Sequence, residues 1–355
     1  MVNNARCGTV CAVLAASIVT LTLGACASAE KAAGKQAPLK AESARTVSDA
    51  EARSVRIARL IDGRATAASW ADVVTAAAES DCVLIGENHG HTLGLASAAA
   101  LWQDILVARA QRSAGTAGAG AGNGEPRPTL AMEFFERDEQ KAIDDYFAGL
   151  IDEATFEKES QRSQGNYPPG HRAMVRAAKE AGARLVAANA PRRYVRLART
   201  DGYERLRGLS EEQRRLFRLP DVMPMNAYWD RFVAVMGGSA EISPTATPAE
   251  REAMQKKRAN LEATFRSQVM WDWTMAQSVA DARYTPRGIS KPVVLVVGRF
   301  HIDDAGGTVQ ALRRLAPQAK ILTVSFVDSE GPKDPSVAAA KDDLTRADFV
   351  VYVGQ

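Results

Sequence analysis

The sequence predicts an α/β protein with a mostly parallel sheet flanked by helices and a large helical insertion at about residues 200–284. Two observations lead to this fold class. Six short runs are apolar throughout and rich in β-branched residues, which is typical of strands that are buried on both faces of a sheet. Helical patterns separate most of these runs, and strands that alternate with helices indicate parallel pairing.

The predicted strands occur at intervals along the chain, with turn-forming residues nearby. They are Cys82–Gly86, Thr129–Phe134, Arg184–Ala188, Pro292–Gly298, Ala319–Phe326 and Phe349–Val353. The helices predicted beside them are Leu93–Arg112, Arg137–Phe147, Gly170–Ala181, Pro191–Arg199 and Ala305–Leu315. Gly115–Gly124 is predicted to be a loop from its composition, and it lacks the lysine pattern of a phosphate-binding loop.

The insertion, Thr200–Tyr284, shows no convincing strand pattern. Its helical patterns lie around Ser210–Phe217, Pro224–Met236 and Pro248–Ala282. We expect it to form a cap or lid over one edge of the sheet. In the last of these helices, spacings of three, four and seven from Gln268 place Trp271, Asp272 and Met275 on one face with it. We expect the two apolar residues to be core, and Asp272 to hold either Arg192 or a histidine of the site.

The first 25 residues predict a lipoprotein signal peptide. Val10–Leu23 is an apolar run that is too short to span a bilayer comfortably, and Leu23-Gly24-Ala25-Cys26 resembles the bacterial lipobox. The sequence therefore predicts lipidation of Cys26, a flexible tether over residues 26–52 and an α/β domain over residues 53–355. Because Ala27 rather than aspartate follows the cysteine, we expect a location at the outer membrane of a bacterial cell envelope, facing the periplasm.

The net charge and the cysteine content argue against a nucleic-acid partner and against an intramolecular disulfide. The net charge of the chain is only +3, and no long basic run occurs, which argues against a nucleic-acid partner. Cys82 is the only cysteine that follows Cys26 in the sequence. We expect it to be a small core residue, with no intramolecular disulfide.

Polar residues lie at the carboxyl ends of four predicted strands, where parallel α/β sheets bind ligands. They are Glu87, His89, Glu133, Asn189, Arg192 and His301. A carboxylate and imidazole set binds a divalent transition metal such as zinc or manganese, or acts as a metal-free acid and base. Both alternatives stay open at this point. We expect His91 and His171 to be hydrogen-bonded structural residues.

These motifs resemble the ChaN-like haem-binding proteins of the haem-uptake/Tiki superfamily. The resemblance runs in order over roughly residues 55–326. Its pieces are Val83–His89, Ala131–Arg137, Gln140, Tyr167, Leu185–Arg192, Gln268-x-x-Trp271-Asp272-x-x-Met275-Ala276 and Gly298-x-x-His301. Each piece is weak alone, whereas the combination is specific.

The resemblance implies a lipid-anchored protein that binds haem for haem or iron uptake or storage, with tyrosinate as the iron ligand. Tyr167 matches the family position best. His171, Asn189 and Arg192 are the further cofactor-binding residues that we predict. A homodimer that holds two stacked haems is another implication, although the Gly-rich loop and the enlarged insertion would alter dimer contacts.

The same superfamily includes Tiki-type metalloproteases, and erythromycin esterases look similar. This chain contains both Gly86-x-x-His89 and Gly298-x-x-His301. The alternative function is therefore a metal-dependent hydrolase in which Glu87, His89, Glu133 and His301 hold the metal or activate water. From the sequence, haem binding should depend on Tyr167 and survive Glu87→Gln, whereas hydrolysis should be abolished by Glu87→Gln.

Overall fold

The structure is a computed structural model that describes residues 46–116, 127–162, 165–237, 246–286 and 288–354. The predicted signal peptide, Cys26 and most of the predicted tether lie outside the described residues, as does most of the predicted loop Gly115–Gly124. Within the described part, no helix is both long and apolar enough to cross a bilayer.

The described ranges contain ten strands and twelve α-helices. The strands are β1 (Arg56–Ile61), β2 (Arg64–Ala68), β3 (Cys82–Glu87), β4 (Thr129–Glu136), β5 (Arg184–Asn189), β6 (Tyr284–Thr285), β7 (Gly288–Ile289), β8 (Val293–Gly298), β9 (Ile321–Val327) and β10 (Phe349–Tyr352). The helices are α1 (Asp49–Arg53), α2 (Trp70–Ala78), α3 (Thr92–Thr116), α4 (Gln140–Phe147), α5 (Glu153–Glu159), α6 (Pro169–Glu180), α7 (Arg192–Thr200), α8 (Gly202–Arg207), α9 (Glu211–Arg214), α10 (Ala227–Val235), α11 (Pro248–Ala282) and α12 (Gly307–Leu315).

Eight strands form one mixed sheet in the order β2-β1-β10-β9-β3-β8-β4-β5. The six strands from β10 to β5 are mutually parallel, and these are the six strands predicted from the sequence. The predicted fold class is therefore confirmed. The hairpin of β1 and β2 runs antiparallel to β10 and was not predicted. Its second strand, RATAA, is a half-exposed edge strand with no large apolar residue, so hydrophobic periodicity gave no signal for it.

Helices cover both faces of the sheet. Alternate residues of β3 point to opposite faces, as the period of two in a strand requires. Val83 and Ile85 lie in one core with Trp102 of α3, whereas Leu84 lies in the other with Phe265 of α11. Both cores are sealed from water, because the side chains at their centres are fully buried.

The helical insertion differs in position from the expected cap over a sheet edge. Its longest helix, α11, packs with α10 and α12 against the face formed by β5, β4 and β8. It therefore supplies most of one of the two helical layers. The burial pattern of α11 explains this position, because the N-terminal half is largely exposed and most residues from Leu261 onward are buried.

The last residues of the predicted tether form α1, which packs against α3. Ala52 is buried, and the guanidinium of Arg53 donates to both carboxylate oxygens of Asp104 at 2.8 and 2.9 Å. Trp70 Nε1 donates to the same carboxylate. The α/β domain thus begins a few residues before position 53.

Candidate functional site

The carboxyl ends of β3 and β8 bring the motifs Gly86-x-x-His89 and Gly298-x-x-His301 together. These strands are parallel neighbours, with Glu87 paired to Gly298. The carboxylate of Glu133 accepts a hydrogen bond from the Gly298 N–H at 2.6 Å. A Cβ on residue 298 would lie 2.8 Å from His89 Nε2, so the close approach of the imidazole requires glycine there.

Glu87 is buried between two imidazoles. Its carboxylate lies 3.0 Å from His89 Nδ1 and 2.7 Å from His171 Nε2. Burial by itself raises the pKa of Glu87, but the charge and hydrogen bond of His171, together with those of His89, hold that pKa well below its ordinary value. Glu87 is therefore ionised at neutral pH and only accepts hydrogen bonds.

A second carboxylate and imidazole pair lies on the other side of Glu133. His301 Nδ1 is 2.7 Å from Asp272 Oδ1, and both side chains are buried. Asp272 also accepts hydrogen bonds from the hydroxyl groups of Tyr228 and Thr308, each at 2.8 Å. The expectation that Asp272 holds a site histidine is confirmed, and Arg192 is not its partner.

Glu133 connects the two pairs. Its Oε1 lies 3.6 Å from His301 Nε2, while its Oε2 is bound by Gly298. The structure thus gathers Glu87, His89, Glu133 and His301 at one edge of the sheet, as the strand-end argument predicts. Among the residues in the described ranges, no group of three or more His, Cys, Asp and Glu side chains has an arrangement that could hold a metal ion.

Tyr167 lies on the side of this site occupied by α6, with only 3% of its surface exposed. One face of its ring stacks on Phe134, with ring centroids 5.5 Å apart, and the Arg172 guanidinium lies 4.6 Å from the ring centroid. Burial raises the pKa of the phenol above its ordinary value. In this conformation Tyr167 is a packed neutral phenol, and its role as iron ligand stays a prediction.

The other predicted cofactor-binding residues occupy different environments. His171 is buried, and its Nδ1 has no hydrogen-bond partner among the residues that the structure describes. Asn189 Oδ1 accepts a hydrogen bond from the N–H of Ala190. Arg192 is the exposed member, with 80% of its side chain accessible beside Glu136. Of these three, Arg192 alone presents a charged group to solvent.

His91 is a structural residue. Its Nδ1 accepts a hydrogen bond from the N–H of Gly94 in the first turn of α3, and its Nε2 lies 3.3 Å from Asp328. This contact agrees with the structural role expected for His91.

Arg299 was missed by the sequence analysis. Its guanidinium donates to Asn88 and to Asp303, and Asp303 in turn accepts from Arg346 and Ser325. This network ties the loop after β3 to the turn after β8 and to the segment before β10. Its only signal was the position of Arg299 directly after a strand.

Comparison with known proteins places the chain in a family. The family model described as haem-binding uptake, Tiki superfamily, ChaN matches residues 73–312. No curated protein matches the chain.

Solved structures share the fold at low sequence identity. ChaN of Campylobacter jejuni, whose structure is described as showing cofacial haem binding, is 13% identical with a TM-score of 0.57, over 83% of this chain and 96% of that chain. The erythromycin esterase EreC is 12% identical over 80% of this chain and 93% of that chain, with a TM-score of 0.42. Since the family match spans more than half of its residues, the chain belongs to the ChaN family of haem-binding uptake proteins in the Tiki superfamily.

Proposed function

We propose that the protein binds haem as a lipid-anchored protein of the bacterial envelope and serves haem or iron uptake or storage. Membership of the ChaN family, matched over residues 73–312, is the observation that carries this proposal. The lipobox-like sequence that ends in Cys26 supports the lipid anchor, and Ala27 favours the outer membrane, facing the periplasm.

The site contains residue types that bind a haem iron and the haem propionates. A haem needs an axial donor on the iron and cations or donors for its propionates. The exposed guanidinium of Arg192, which follows β5, offers a cation for a propionate, and Tyr167 is the iron ligand that the family resemblance implies. When bound, the haem would supply an iron centre, while the protein supplies binding and orientation.

A haemin titration of the form that begins at Ala27 tests this function. We expect a saturable shift of the Soret band, measured by absorbance. Metal analysis of the same sample should find no zinc or manganese. Iron-free protoporphyrin IX is the control, because it has the same apolar surface but offers no axial position. Equal affinity for both, or no saturation with haemin, would contradict the proposal.

The oligomeric state is measured on the same samples. A homodimer that holds stacked haems should double the molar mass in light scattering when haemin is added. The alternative of a metal-dependent hydrolase at Glu87, His89, Glu133 and His301 stays a prediction from the sequence. About one equivalent of bound zinc or manganese, with no haem binding, would favour it.

A further inference from the structure

Residues 192–219, which contain α7, α8 and α9, are strongly basic. This basic segment has nine arginines, no lysine and four carboxylates, so its net charge is +5. Since the whole chain carries +3, all of its other residues together carry −2. A protein of small net charge can therefore have one region of strongly positive potential, and the charge distribution places that region in the basic segment.

Packing turns the arginines of the basic segment toward solvent. Its apolar side chains, Tyr194 among them, form a buried cluster with Met270 of α11. On α7, Arg192, Arg196 and Arg199 follow spacings of four and three, so they form a stripe on one helical face. Eight of the nine arginines are exposed, because the segment covers α11 from the outside.

Several of these arginines have no partner in the protein. Within the described ranges, no ion pair or hydrogen bond engages the side chains of Arg196, Arg199, Arg205 and Arg214. Unpaired like charges in one layer repel one another, so an anionic partner would be bound favourably. The guanidinium group is weakly hydrated and matches the geometry of phosphate, which makes a surface of arginines without lysine suited to phosphate groups.

An exposed apolar loop follows the basic segment directly. This apolar loop, residues 220–226, reads Pro-Asp-Val-Met-Pro-Met-Asn. The accessible fraction is 74% for Val222 and 47% for Met225. Apolar side chains beside a cluster of cations are the combination that binds the interface of an anionic bilayer.

Hydrogen bonds hold both ends of the apolar loop. Asp221 accepts from Arg218 at 3.4 Å and from Arg314 of α12 at 3.2 Å. Asn226 Nδ2 donates to Gln310 Oε1 at 2.9 Å. The loop is thus tied to α12 at its ends, with guanidinium groups beside it, while its apolar side chains stay exposed.

We propose that the basic segment and the apolar loop form a docking surface for an anionic phospholipid bilayer. The arginines bind lipid phosphates, and Val222 and Met225 enter the headgroup region. This inference rests on the lipid-anchored location in the proposed function and adds an orientation to it. Because the basic segment packs on α11, docking turns the helical layer of α11 toward the bilayer and the layer of α3 away from it.

The predicted lipid anchor would favour this contact. Twenty residues lead from Cys26 to Thr46, where the described part of the chain begins, and they span at most about 70 Å when fully extended. A tether of this length keeps the docking surface close to the membrane that holds the lipid. The second contact is then intramolecular, so a modest affinity of the surface suffices.

Vesicle sedimentation of the form that begins at Ala27 tests the docking surface. This form lacks the lipid, so any binding comes from the protein itself. We expect binding to vesicles of phosphatidylglycerol and phosphatidylethanolamine that weakens as salt is added. Vesicles of phosphatidylcholine, which have no net charge, should not bind the protein.

A combined variant removes the four unpaired arginines. It carries Arg196→Gln, Arg199→Gln, Arg205→Gln and Arg214→Gln, and it leaves no carboxylate without a partner. Each arginine near an anionic bilayer should contribute about fivefold to the partition coefficient, so the four together should lower it by more than about 100-fold. Haemin binding and the urea midpoint should stay at wild-type values, since these side chains contact neither the site nor the core.

The matched control changes net charge equally at exposed lysines on other elements. It carries Lys141→Gln, Lys158→Gln, Lys320→Gln and Lys333→Gln. These positions lie on α4, on α5 and on either side of β9. If binding depends on the docking surface, the control should keep most of the wild-type partition coefficient.

A fluorescent label tests whether the apolar loop enters the bilayer. Val222→Cys is labelled with an environment-sensitive nitrobenzoxadiazole dye, since the only other cysteine of this form, Cys82, is buried. Anionic vesicles should increase the fluorescence and shift it to shorter wavelength. Leu150→Cys is the matched control, because Leu150 is equally exposed at 75% but lies in the turn after α4. Its label should not respond.

Three results would overturn the proposal. They are no binding of the wild type to anionic vesicles, an equal loss of binding in the arginine and lysine variants, and no response of the label at position 222. Binding of single-stranded DNA through the same arginines, without vesicle binding, would assign the surface to a nucleic acid and also overturn it.

Failure of the docking surface and failure of the proposed function are distinguishable. A protein that binds haemin but no vesicles retains the haem function and loses the docking surface. A protein that binds anionic vesicles through the four arginines but binds no haemin shows the reverse.

Discussion

Asp272 shows how a single residue organises this site. Its carboxylate is fully buried and accepts hydrogen bonds from His301, Tyr228 and Thr308. A buried charge is tolerated only when it is hydrogen-bonded, and three short contacts satisfy it here. The pKa of Tyr228 is raised well above its ordinary value by burial and by Asp272, so the phenol stays a hydrogen-bond donor.

Glu139, in the turn after β4, is a second residue with an unusual environment. Its Oε2 accepts hydrogen bonds from the Glu136 N–H at 2.6 Å and from Arg162 at 3.0 Å. Burial raises its pKa from the ordinary 4.5 to about 7, with Arg162 opposing the rise and the neighbouring carboxylates adding to it. The folded state therefore binds a proton more tightly at Glu139 than the unfolded state does.

Stability should consequently fall as the pH rises from about 4.5 to about 7, because over that range folded Glu139 keeps a proton that the unfolded state has released. Glu139→Gln should remove this part of the pH dependence of the free energy of unfolding. Urea unfolding at several pH values in this range measures it. The exposed Glu159→Gln is the control. An unchanged slope in Glu139→Gln would show that the carboxyl is not protonated in the folded protein.

Among the elements, α11 links the insertion to the site. The helix begins with a capping box, in which Thr247 accepts from the N–H of Glu250 and the Glu250 carboxylate accepts from Thr247. Its buried C-terminal half carries both Gln268 and Asp272 to His301. The same half packs against the start of α12, so the spacing between the two helices controls the position of the Asp272 and His301 pair.

Gly307, the first residue of α12, sets that spacing. A Cβ at this position would lie 2.1 Å from Asp272 Oδ2 and 2.5 Å from a ring carbon of Tyr228. Gly307→Ala should therefore destabilise the protein by about 1–3 kcal/mol through overpacking. Gly208→Ala is the matched control, because the nearest atom to its Cβ is 3.6 Å away. Urea unfolding compares the two, and equal stability of both variants would contradict close packing at Gly307.

At the scale of the whole molecule, the site lies where the carboxyl ends of the parallel strands meet. The parallel order β9-β3-β8-β4-β5 brings the ends of all these strands to the same edge. The network of Arg299, Asp303 and Arg346 joins that edge to the segment before β10. The N-terminal segment that would carry the lipid enters the domain through α1, packed on α3.

Lipidation is the prediction that concerns the whole chain. Cys26→Ser should abolish incorporation of labelled fatty acid and release the protein from the membrane fraction, because an acyl anchor contributes roughly 0.8 kcal/mol for each buried methylene. Cys11→Ser, which changes a cysteine inside the predicted signal peptide, is the control and should stay labelled. Labelled Cys26→Ser protein would show that the lipobox prediction is wrong.

The sequence by itself determined the fold class, the six parallel strands and the family. These follow from local information, since a strand buried on both faces must be apolar along its length, and each strand-end motif is contiguous in the chain. The same reasoning predicted that Glu87, His89, Glu133 and His301 would gather, because parallel strands end at a common edge. The strand β2 was not predicted because an exposed edge strand carries little hydrophobic pattern.

Only the tertiary structure decided which partners those residues have. His171 is 84 positions from Glu87 in sequence, and Asp272 is 29 positions from His301, so no periodicity relates them. Burial of Tyr167 beneath Phe134 and exposure of His89 are likewise consequences of how the layers pack. Hydrogen-bond partners and exposure are properties of long-range packing, and the chemistry of this site depends on both.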